Sequence, residues 1–518
     1  MKSNKDDQQP KKEEPEEPKE PLTTHKISII NKDKKQEPVE EDKKLKKEDI
    51  TTHNIKIDIS RKLSEFVADL KFEDIPQHVI DVEKQSIIDN IAIISGGADG
   101  DGCRELVEYA EEASAGGKGE ATVLGFNKKL PAIWAAFANA SMVMALDFSD
   151  TSSTVGIHPN TSTFTVSLAL SEKLGGISGK DFITAMVAGS EVASRISKAA
   201  LPSRYAMYGF YMPPVFTSFG ATAAACKLLK LTADQIINAW SINLSQYTCS
   251  SELINNKETP IRSIRESFGA KSAMSSAFLA KKGIKGYKDP FEGEQGFYRA
   301  YFQGDYDPQP VLKDLGKDFD AGKLIFKPWP CCMGNHGVIN SAINIMKEHN
   351  IKPEDITALK AEIPTIARLV CEPHEDKIAP KNAINAKYSM PFTVAIAIID
   401  GKITLKSFDD ENLKRPDVLA LASKFTYKLN SDWEKDPDMK TGGALTIEAK
   451  DGKSYYSLVS KTLGNPENPM TEEQFKEKFF SCMDKAAFPK NHKQQEDIFA
   501  NVNELEKITD MRDLAAML

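Results

Sequence analysis

The segment from Pro131 to Leu146 consists almost entirely of Ala, Met, Val, Phe and Leu, and it is long enough to form a helix. A helix that is apolar on all its faces has to be buried inside a large fold. The segment ends at Asp147, where an isolated charge is very costly unless it is paired, capped or used. The chain must therefore surround this helix with other elements and provide Asp147 with a partner.

Helical periodicity recurs on both sides of this segment. Apolar residues return at helical spacing in the ranges 79–95, 181–199, 220–229, 232–244 and 270–282. Gly, Pro, Asn and Ser stand between these ranges at positions typical of helix ends. Up to about Gly322 the pattern predicts an all-helical domain.

After Gly322 the periodicity changes. Residues 355–363, 445–449 and 455–459 alternate like strands, and Asp451-Gly452 provides a turn between the last two. Helical patterns at 337–349, 391–399 and 416–423 lie among these strands. The predicted fold class is mainly α, with a large all-helical domain and a smaller α+β domain.

A chain of 518 residues is too long for one ordinary hydrophobic core, so we expect two folded domains. We place a charged tail at 1–55, the helical domain at 56–322, the α+β domain at 323–460 and a return to the helical domain at 461–518. About half of the first 50 residues are Lys, Asp or Glu, which predicts a disordered segment. This tail is too acidic for a transit peptide and lacks the apolar core of a signal peptide.

Composition excludes several classes of protein. A net charge of -8 argues against a general nucleic-acid binder, which would show a basic face. The sequence has no stretch of 18 apolar residues, so we expect no membrane span. The seven cysteines are odd in number and mostly lie in apolar surroundings, which favours reduced thiols in a cytoplasmic protein over a disulfide framework.

The run Asp147-Phe-Ser-Asp150-Thr151, followed by His158-Pro159, brings two carboxylates, a hydroxyl and an imidazole close together in sequence. An Asp can orient or activate a base, and a His can shuttle a proton near neutral pH. The same residue types also terminate helices, because Asp, Ser and Thr side chains bind free backbone groups there. Spacing alone leaves both interpretations open.

A second candidate is the run from Lys327 to Cys332, with His336 after it. Two prolines fix the backbone beside Lys327, whose ammonium group could hold a substrate carboxylate. Adjacent cysteines followed by a His lack the ligand spacing of zinc sites, so we expect no metal here. Arginine binds carboxylates in a bidentate manner, and three arginines flank the helical patterns around 210 and 275, namely Arg204, Arg262 and Arg265.

Several motifs, in this order along the chain, resemble the MmgE/PrpD family. They are DNIAIISGG (89–97), AAFANASMVMALDFSDT (135–151), IHP (157–159), AGSEVASRI (188–196) and PWPCC (328–332). The family includes 2-methylcitrate dehydratase, cis-aconitate decarboxylase and iminodisuccinate epimerase. The resemblance implies a large helical domain, a smaller α+β lid, a homodimer, and an active site in the cleft between the domains without a metal or other cofactor.

The resemblance also implies site residues. In the decarboxylase branch an Asp and a Thr of a D-F-x-D-T motif and a His before Pro line the site, and they resemble Asp147, Thr151 and His158. The lysine of the lid resembles Lys327. Four positions depart from that branch: Met212 (or Tyr211) replaces a His before Pro-Pro, Arg262 replaces a Lys, Cys332 replaces a His and Arg368 replaces a Tyr.

These departures favour a lyase similar to 2-methylcitrate dehydratase, which removes a proton next to a carboxylate of a small di- or tricarboxylate. We expect His158 to transfer the proton, Asp147 to orient it or share the base role, and Lys327 to hold a substrate carboxylate. The expected substrate-binding residues are Thr151, Arg262, Arg204, Met212, Cys332 and His336. An epimerase of an imino- or aminodicarboxylate, a cis-aconitate decarboxylase and an inactive binding protein remain alternatives.

Overall fold

The structure, a computed structural model, describes residues 58–200, 209–256, 259–434, 436 and 439–518. The predicted disordered tail at 1–55 and the candidate residue Arg204 lie outside the described residues. From Asp58 onward the described residues belong to one compact unit.

The first part of the chain is built from helices that pack on one another. Their bounds are α1 (Ile59–Asp69), α2 (Gln77–Gly96), α3 (Cys103–Ala113), α4 (Ala132–Met142), α5 (Asn160–Leu174), α6 (Gly179–Ala199), α7 (Pro213–Leu228), α8 (Ala233–Leu244), α9 (Glu252–Asn255), α10 (Ile261–Lys281), α11 (Phe297–Phe302) and α12 (Gln309–Leu312). Capping boxes begin two of them, with Ser178 and Asp181 at α6 and Thr232 and Gln235 at α8. The apolar helix α4 packs against α3, α5 and α10, which bury it as its sequence demands.

Two small strand pairs interrupt this helical part, and the periodicity did not predict either of them. The first is a hairpin of β1 (Ala121–Val123) and β2 (Lys128–Leu130). The second joins β3 (Thr151–Ser152) to β4 (Leu324–Ile325), far apart in sequence. Strands this short carry too few residues to show an alternating pattern.

The second part contains a four-stranded sheet in the order β6-β5-β7-β8. The strands are β5 (Ile356–Ile363), β6 (Phe425–Leu429), β7 (Gly443–Ala449) and β8 (Ser454–Val459). β5 pairs in parallel with β6, and the other two pairings are antiparallel. The three predicted strands are confirmed, whereas β6 is an additional one.

Helices cover this sheet, and others follow it. They are α13 (Met333–His349), α14 (His374–Ile378), α15 (Ala383–Lys387), α16 (Met390–Asp400), α17 (Asp410–Leu413), α18 (Pro416–Ala422), α19 (Glu472–Asp484), α20 (His492–Asn503) and α21 (Met511–Ala515). The predicted fold class, mainly α with a smaller α+β part, is confirmed.

The buried apolar side chains form two clusters. One gathers residues from Ile59 to Phe326 and adds side chains of α19, α20 and α21, and the other runs from Trp329 to Ile447. The chain runs from one cluster to the other at two places, which we call the crossings. The two crossings are joined by a hydrogen bond, which the Phe326 amide donates to the Gly464 carbonyl at 3.0 Å. We keep the predicted domain boundaries at 322 and 460 as a proposal. Among the described residues, no helix is long and apolar enough to cross a membrane.

Candidate active site

The turn after α4 brings Lys327 to Asp147. The β3–β4 pairing places Ile325 beside Thr151, so Lys327 lies next to the residues just before β3. The Lys327 Nζ atom donates to Asp147 Oδ1 at 2.7 Å and to the Asp147 carbonyl oxygen at 2.9 Å. Lys327 is completely buried and Asp147 is 2% exposed. The partner that Asp147 requires is therefore this lysine, which is 180 residues away in sequence.

Two further lysines donate to the same turn. Lys387 donates from Nζ to the Ala145 carbonyl at 3.0 Å, and Lys478 donates to the Phe148 carbonyl at 2.8 Å. Carbonyl groups at the end of a helix lack partners within the helix, and cationic side chains satisfy them well. Three buried lysines from distant parts of the chain thus hold the turn at 145–148, which we call the lysine-bound turn.

Lys327 keeps the Asp147 carboxyl group in its ionised form. Burial raises the pKa of Asp147, but the attraction and hydrogen bond of Lys327 outweigh it, so the pKa lies well below its ordinary value. Its Oδ2 atom has no hydrogen-bond partner among the described residues. Asp147 also has a positive φ of 50°, a conformation that Asp and Asn adopt more readily than most residues. Asp147 is therefore a fixed carboxylate with one oxygen left to accept a hydrogen bond.

His158 is held in one orientation by its Nδ1 atom. This nitrogen lies 2.7 Å from the Asp150 carbonyl oxygen and 3.2 Å from the Thr151 hydroxyl. A carbonyl oxygen can only accept, so Nδ1 carries the proton and Nε2 keeps a lone pair. Burial, followed by repulsion from Lys327, lowers the pKa of His158 to about 3, so its ring is neutral at pH 7. The arrangement presents Nε2 as a base.

Two arginines of α10 add positive charge. The guanidinium carbon of Arg262 lies 3.6 Å from the centre of the Tyr388 ring, and that of Arg265 lies 5.5 Å from the centre of the Tyr211 ring. The Nε atoms of both arginines are buried without a hydrogen-bond partner among the described residues. Stacking on aromatic rings orients a guanidinium group without using its donors. Both groups can therefore donate to an added anion.

The other predicted substrate-binding residues have different environments. Met212 is completely buried and lies directly before α7. Cys332 is half-buried, and burial raises the pKa of its thiol. His336 is completely buried, with Nε2 3.2 Å from the Cys331 carbonyl oxygen and its ring 5.2 Å from that of Trp329. Burial lowers the pKa of His336 to about 3, as at His158.

Sequence reasoning missed Lys387 and Lys478, because a lone lysine usually belongs to the solvated surface. A signal for Lys478 exists in α19, where it stands on the same helical face as Phe475, Phe479 and Cys482. No comparable signal marks Lys387, which ends the short helix α15.

Among the described residues, one group of carboxylates lies close enough together to hold a cation. It consists of Asp58, Asp289 and Glu292, and it includes none of the site residues above. The expectation that the protein works without a metal stays a prediction.

The site combines a buried carboxylate–lysine pair, a neutral histidine and two arginines, which can bind an anionic group and transfer a proton beside it. The chain matches the model of the MmgE/PrpD N-terminal domain over residues 61–309 and that of the MmgE/PrpD C-terminal domain over residues 329–504. The protein belongs to the MmgE/PrpD family, which confirms the resemblance of its motifs.

The relatives with curated functions are enzymes. The chain is 26% identical to a cis-aconitate decarboxylase of Aspergillus terreus over 479 residues, which is 89% of this chain and 96% of the relative. It is 25% identical to the cis-aconitate decarboxylase of Mus musculus, over 89% of this chain and 92% of the relative. A 2-methylcitrate dehydratase of Salmonella typhi is 23% identical over 65% of this chain and 72% of its own length.

Proposed function

We propose that the protein is a lyase that decarboxylates a small tricarboxylate, with cis-aconitate or a close analogue as the substrate. The observation that carries this proposal is the contact of Lys327 with Asp147 beside the neutral ring of His158. The decarboxylases of Aspergillus terreus and Mus musculus match more of the chain, at higher identity, than the dehydratase of Salmonella typhi does. They favour decarboxylation over the dehydration that the residue departures suggested.

The charges of the site suit a substrate with several carboxylates. Lys327, Arg262 and Arg265 bring three cations, whereas Asp147 and Glu266 bring two carboxylates. Glu266 lies beside Arg265, with 3.8 Å between its Oε1 atom and the arginine Nε atom. We propose that Arg262 and Lys327 bind substrate carboxylates and that Thr151 positions one of them. The contact of Arg262 would use its Nε atom, which has no hydrogen-bond partner among the described residues.

The reaction needs a group that delivers a proton to carbon. When the bond to one carboxylate breaks, carbon dioxide leaves and the electron pair stays on the carbon skeleton, where a neighbouring carboxylate delocalises it. One proton must then be added to carbon. We propose that His158 takes up a proton as the anionic substrate binds, because nearby negative charge raises the pKa of a histidine, and then donates it from Nε2.

Dehydration similar to that by 2-methylcitrate dehydratase is the second candidate. Two points favour it. The resemblance implies that Met212 (or Tyr211) and Cys332 replace histidines of the decarboxylase branch, and His158 in the free protein has the neutral form that a base requires. In that reaction Nε2 would remove a proton next to a carboxylate, and a hydroxyl group would leave as water from the neighbouring carbon.

The test is to incubate the purified protein with cis-aconitate and with 2-methylcitrate in deuterated water and to analyse the products by mass spectrometry. Decarboxylation predicts loss of carbon dioxide and one deuterium on carbon, whereas dehydration predicts loss of water. An amino- or iminodicarboxylate that took up deuterium but lost neither water nor carbon dioxide would support an epimerase. If no small carboxylic acid reacted or raised the melting temperature, the protein would be a binding protein without this activity.

Two substitutions test the residue assignments. We expect His158→Ala to lower kcat by roughly 10²- to 10⁴-fold, the usual contribution of a general acid or base. Lys327→Ala should lower kcat/KM by a similar factor. The matched controls are His492→Ala and Lys402→Ala, whose side chains are 70% and 68% exposed. Turnover close to wild type in both site variants would disprove the assignments.

Three further predictions remain proposals. We expect a homodimer, a cytoplasmic location, and a small carboxylic acid as the ligand, with no binding of nucleic acid or membrane. Light scattering of the purified protein would test the first of these.

A further inference from the structure

A cluster of completely buried polar groups lies behind His158. It consists of Glu83 and Ser86 of α2, Asp150 of the segment before β3, and Asn160 at the start of α5. The Ser86 hydroxyl donates to Asp150 Oδ2 at 2.8 Å. The Asn160 Nδ2 atom lies 3.1 Å from Glu83 Oε2 and 3.2 Å from Asp150 Oδ2. The two carboxyl groups thus share Asn160 as a donor. We call these four residues the Glu83–Asp150 cluster.

The four residues of the cluster have fewer donors than their acceptors need, and the Ser190 hydroxyl, which faces Glu83 and lowers its pKa, adds one donor at most. Ser86 supplies one hydrogen and the Asn160 amide supplies two, and one of these is within reach of the Ser86 oxygen at 2.9 Å. Glu83 Oε1 and Asp150 Oδ1 have no hydrogen-bond partner among the described residues, although both are buried. One hydrogen added to either carboxyl group would supply a missing donor.

The cluster also lacks a compensating cation. Glu83 and Asp150 form no ion pair within the part of the chain that the structure describes. The nearby carboxylates have their own partners, since Asp89 pairs with Lys478 at 2.6 Å and Glu191 pairs with Arg195 at 2.5 Å. Two unpaired charges in such surroundings are very costly, and a buried carboxyl group avoids the cost by keeping its proton.

The pKa values agree with this argument. Burial, followed by repulsion from Asp150, raises the pKa of Glu83 well above its ordinary value. Burial, followed by repulsion from Asp89, raises the pKa of Asp150 to about 7. The groups that face the pair are therefore Asp89 with Lys478 on one side and Glu191 with Arg195 on the other.

The cluster is linked to the proposed proton-transfer group through the backbone. The carbonyl oxygen of Asp150 accepts the Nδ1 proton of His158 at 2.7 Å. Ser86 and Asn160 fix the side chain of the same residue. The position of the carbonyl, and with it the tautomer of His158, depends on how the Asp150 carboxyl is held.

We propose that Glu83 and Asp150 together retain one proton at neutral pH and that the pair acts as a positioning device, which keeps the Asp150 carbonyl in place to hold His158 in the Nδ1–H tautomer. The effect on turnover rests on the proposed function, whereas the proton and the tautomer do not. Neither residue touches the substrate in this proposal.

The kinetic test compares a neutral isostere with a truncation, using cis-aconitate as the substrate. We expect Asp150→Ala to lower kcat by roughly 10- to 100-fold with a smaller change in KM, because misplacement of a catalytic group costs a factor of this order. Asp150→Asn should recover most of the loss, since an amide resembles a protonated carboxyl group. If neither Asp150→Asn nor Glu83→Gln kept most of the wild-type kcat, both residues would work as ions and the proposal would be wrong.

A milder variant covers the case in which Asp150→Ala does not fold. Ser86→Ala removes only the hydroxyl that holds Asp150, and it should lower kcat in the same direction by a smaller factor. Its matched control is Ser95→Ala in the same helix, because the Ser95 hydroxyl is also buried but donates to the Ile91 carbonyl. Equal kcat in the two serine variants would count against the proposal.

Two spectroscopic measurements do not require activity. Infrared difference spectra at pH 7 should show a protonated carboxyl band in the wild type that is lost in Glu83→Gln combined with Asp150→Asn. Nitrogen-15 NMR of labelled histidine, with His158→Ala for assignment, should show Nδ1 protonated in the wild type and a mixture of tautomers in Asp150→Ala. Absence of the band, or an unchanged tautomer, would overturn the proposal even if the reaction were a different one.

Discussion

Asp147 and Asp150 lie three residues apart on one segment, and both are buried, yet their surroundings shift their pKa values in opposite directions. Lysine donors surround the turn at Asp147, and the pKa of Asp147 falls. Other carboxyl groups surround Asp150, and its pKa rises to about 7. His158 lies between them, with Nδ1 bound to the Asp150 carbonyl and the ring in the field of Lys327. Burial alone therefore does not set the charge of a group, because the nearest partner decides it.

The largest effect is expected when Lys327, the cation paired with Asp147, is removed. Lys327→Met leaves a buried carboxylate unpaired, which should lower the free energy of unfolding by about 3–5 kcal/mol. Urea unfolding followed by circular dichroism measures it. The double variant Lys327→Met with Asp147→Asn should recover much of the loss, because no charge then remains unpaired. A double variant as unstable as the single one would show that the pair is not the cause.

Asp147 and Asp150 should make the stability depend on pH with opposite signs. The lowered pKa of Asp147 contributes stability above its ordinary value of 3.8, and this is lost as the pH falls below that value. The raised pKa of Asp150 contributes stability below 3.8, and this is lost as the pH rises towards about 7.

Asp150→Asn should therefore gain stability over the wild type between pH 4 and pH 8, on the order of 2 kcal/mol. Asp147→Asn should lose stability relative to the wild type at pH 7 and approach it again near pH 2. Unfolding curves across this range measure both variants. Parallel trends would mean that the two carboxyl groups do not differ as described.

Substrate binding should change the protonation of His158. His158 is neutral in the free protein, so a multiply charged anion that raises its pKa should bind together with about one proton. Calorimetric titrations in buffers of different ionisation enthalpy measure the number of protons. His158→Ala should abolish the uptake, and uptake that persists in this variant would assign the proton to another group.

The smallest effect is expected for a lysine outside the site. Lys402 is exposed and its Nζ atom lies 3.8 Å from Glu477 Oε1. Lys402→Ala should change the free energy of unfolding by less than about 0.5 kcal/mol, because exposed ion pairs contribute little. A loss comparable to that of Lys327→Met would remove the contrast between buried and exposed lysines.

The sequence predicted the parts of the site that follow one another along the chain. The apolar segment before Asp147 required a buried helix, and the run to His158 combined the right residue types within one loop. The contact between Asp147 and Lys327 depends on the β3–β4 pairing of two residues each, which has no periodic signal. The resemblance to a known family, and not the spacing, suggested Lys327.

The other buried charged residues of the site come together through tertiary packing, which leaves no local pattern in the sequence. Lys387 and Glu83 are charged residues of kinds that usually face the solvent, and the structure buries both. Their partners lie 242 and 77 residues away along the chain. The fold class was easier to predict, because long helices and strands of six or more residues carry their own pattern.

The hydrogen bond between Phe326 and Gly464 has a mechanical consequence. Both chain crossings between the two apolar clusters pass through this point, and the next residue after Phe326 is Lys327. Lys327 therefore stands at the place where the chain joins the two clusters. A substitution that loosened this double connection would reach the Asp147–Lys327 pair before it reached residues far from the connection.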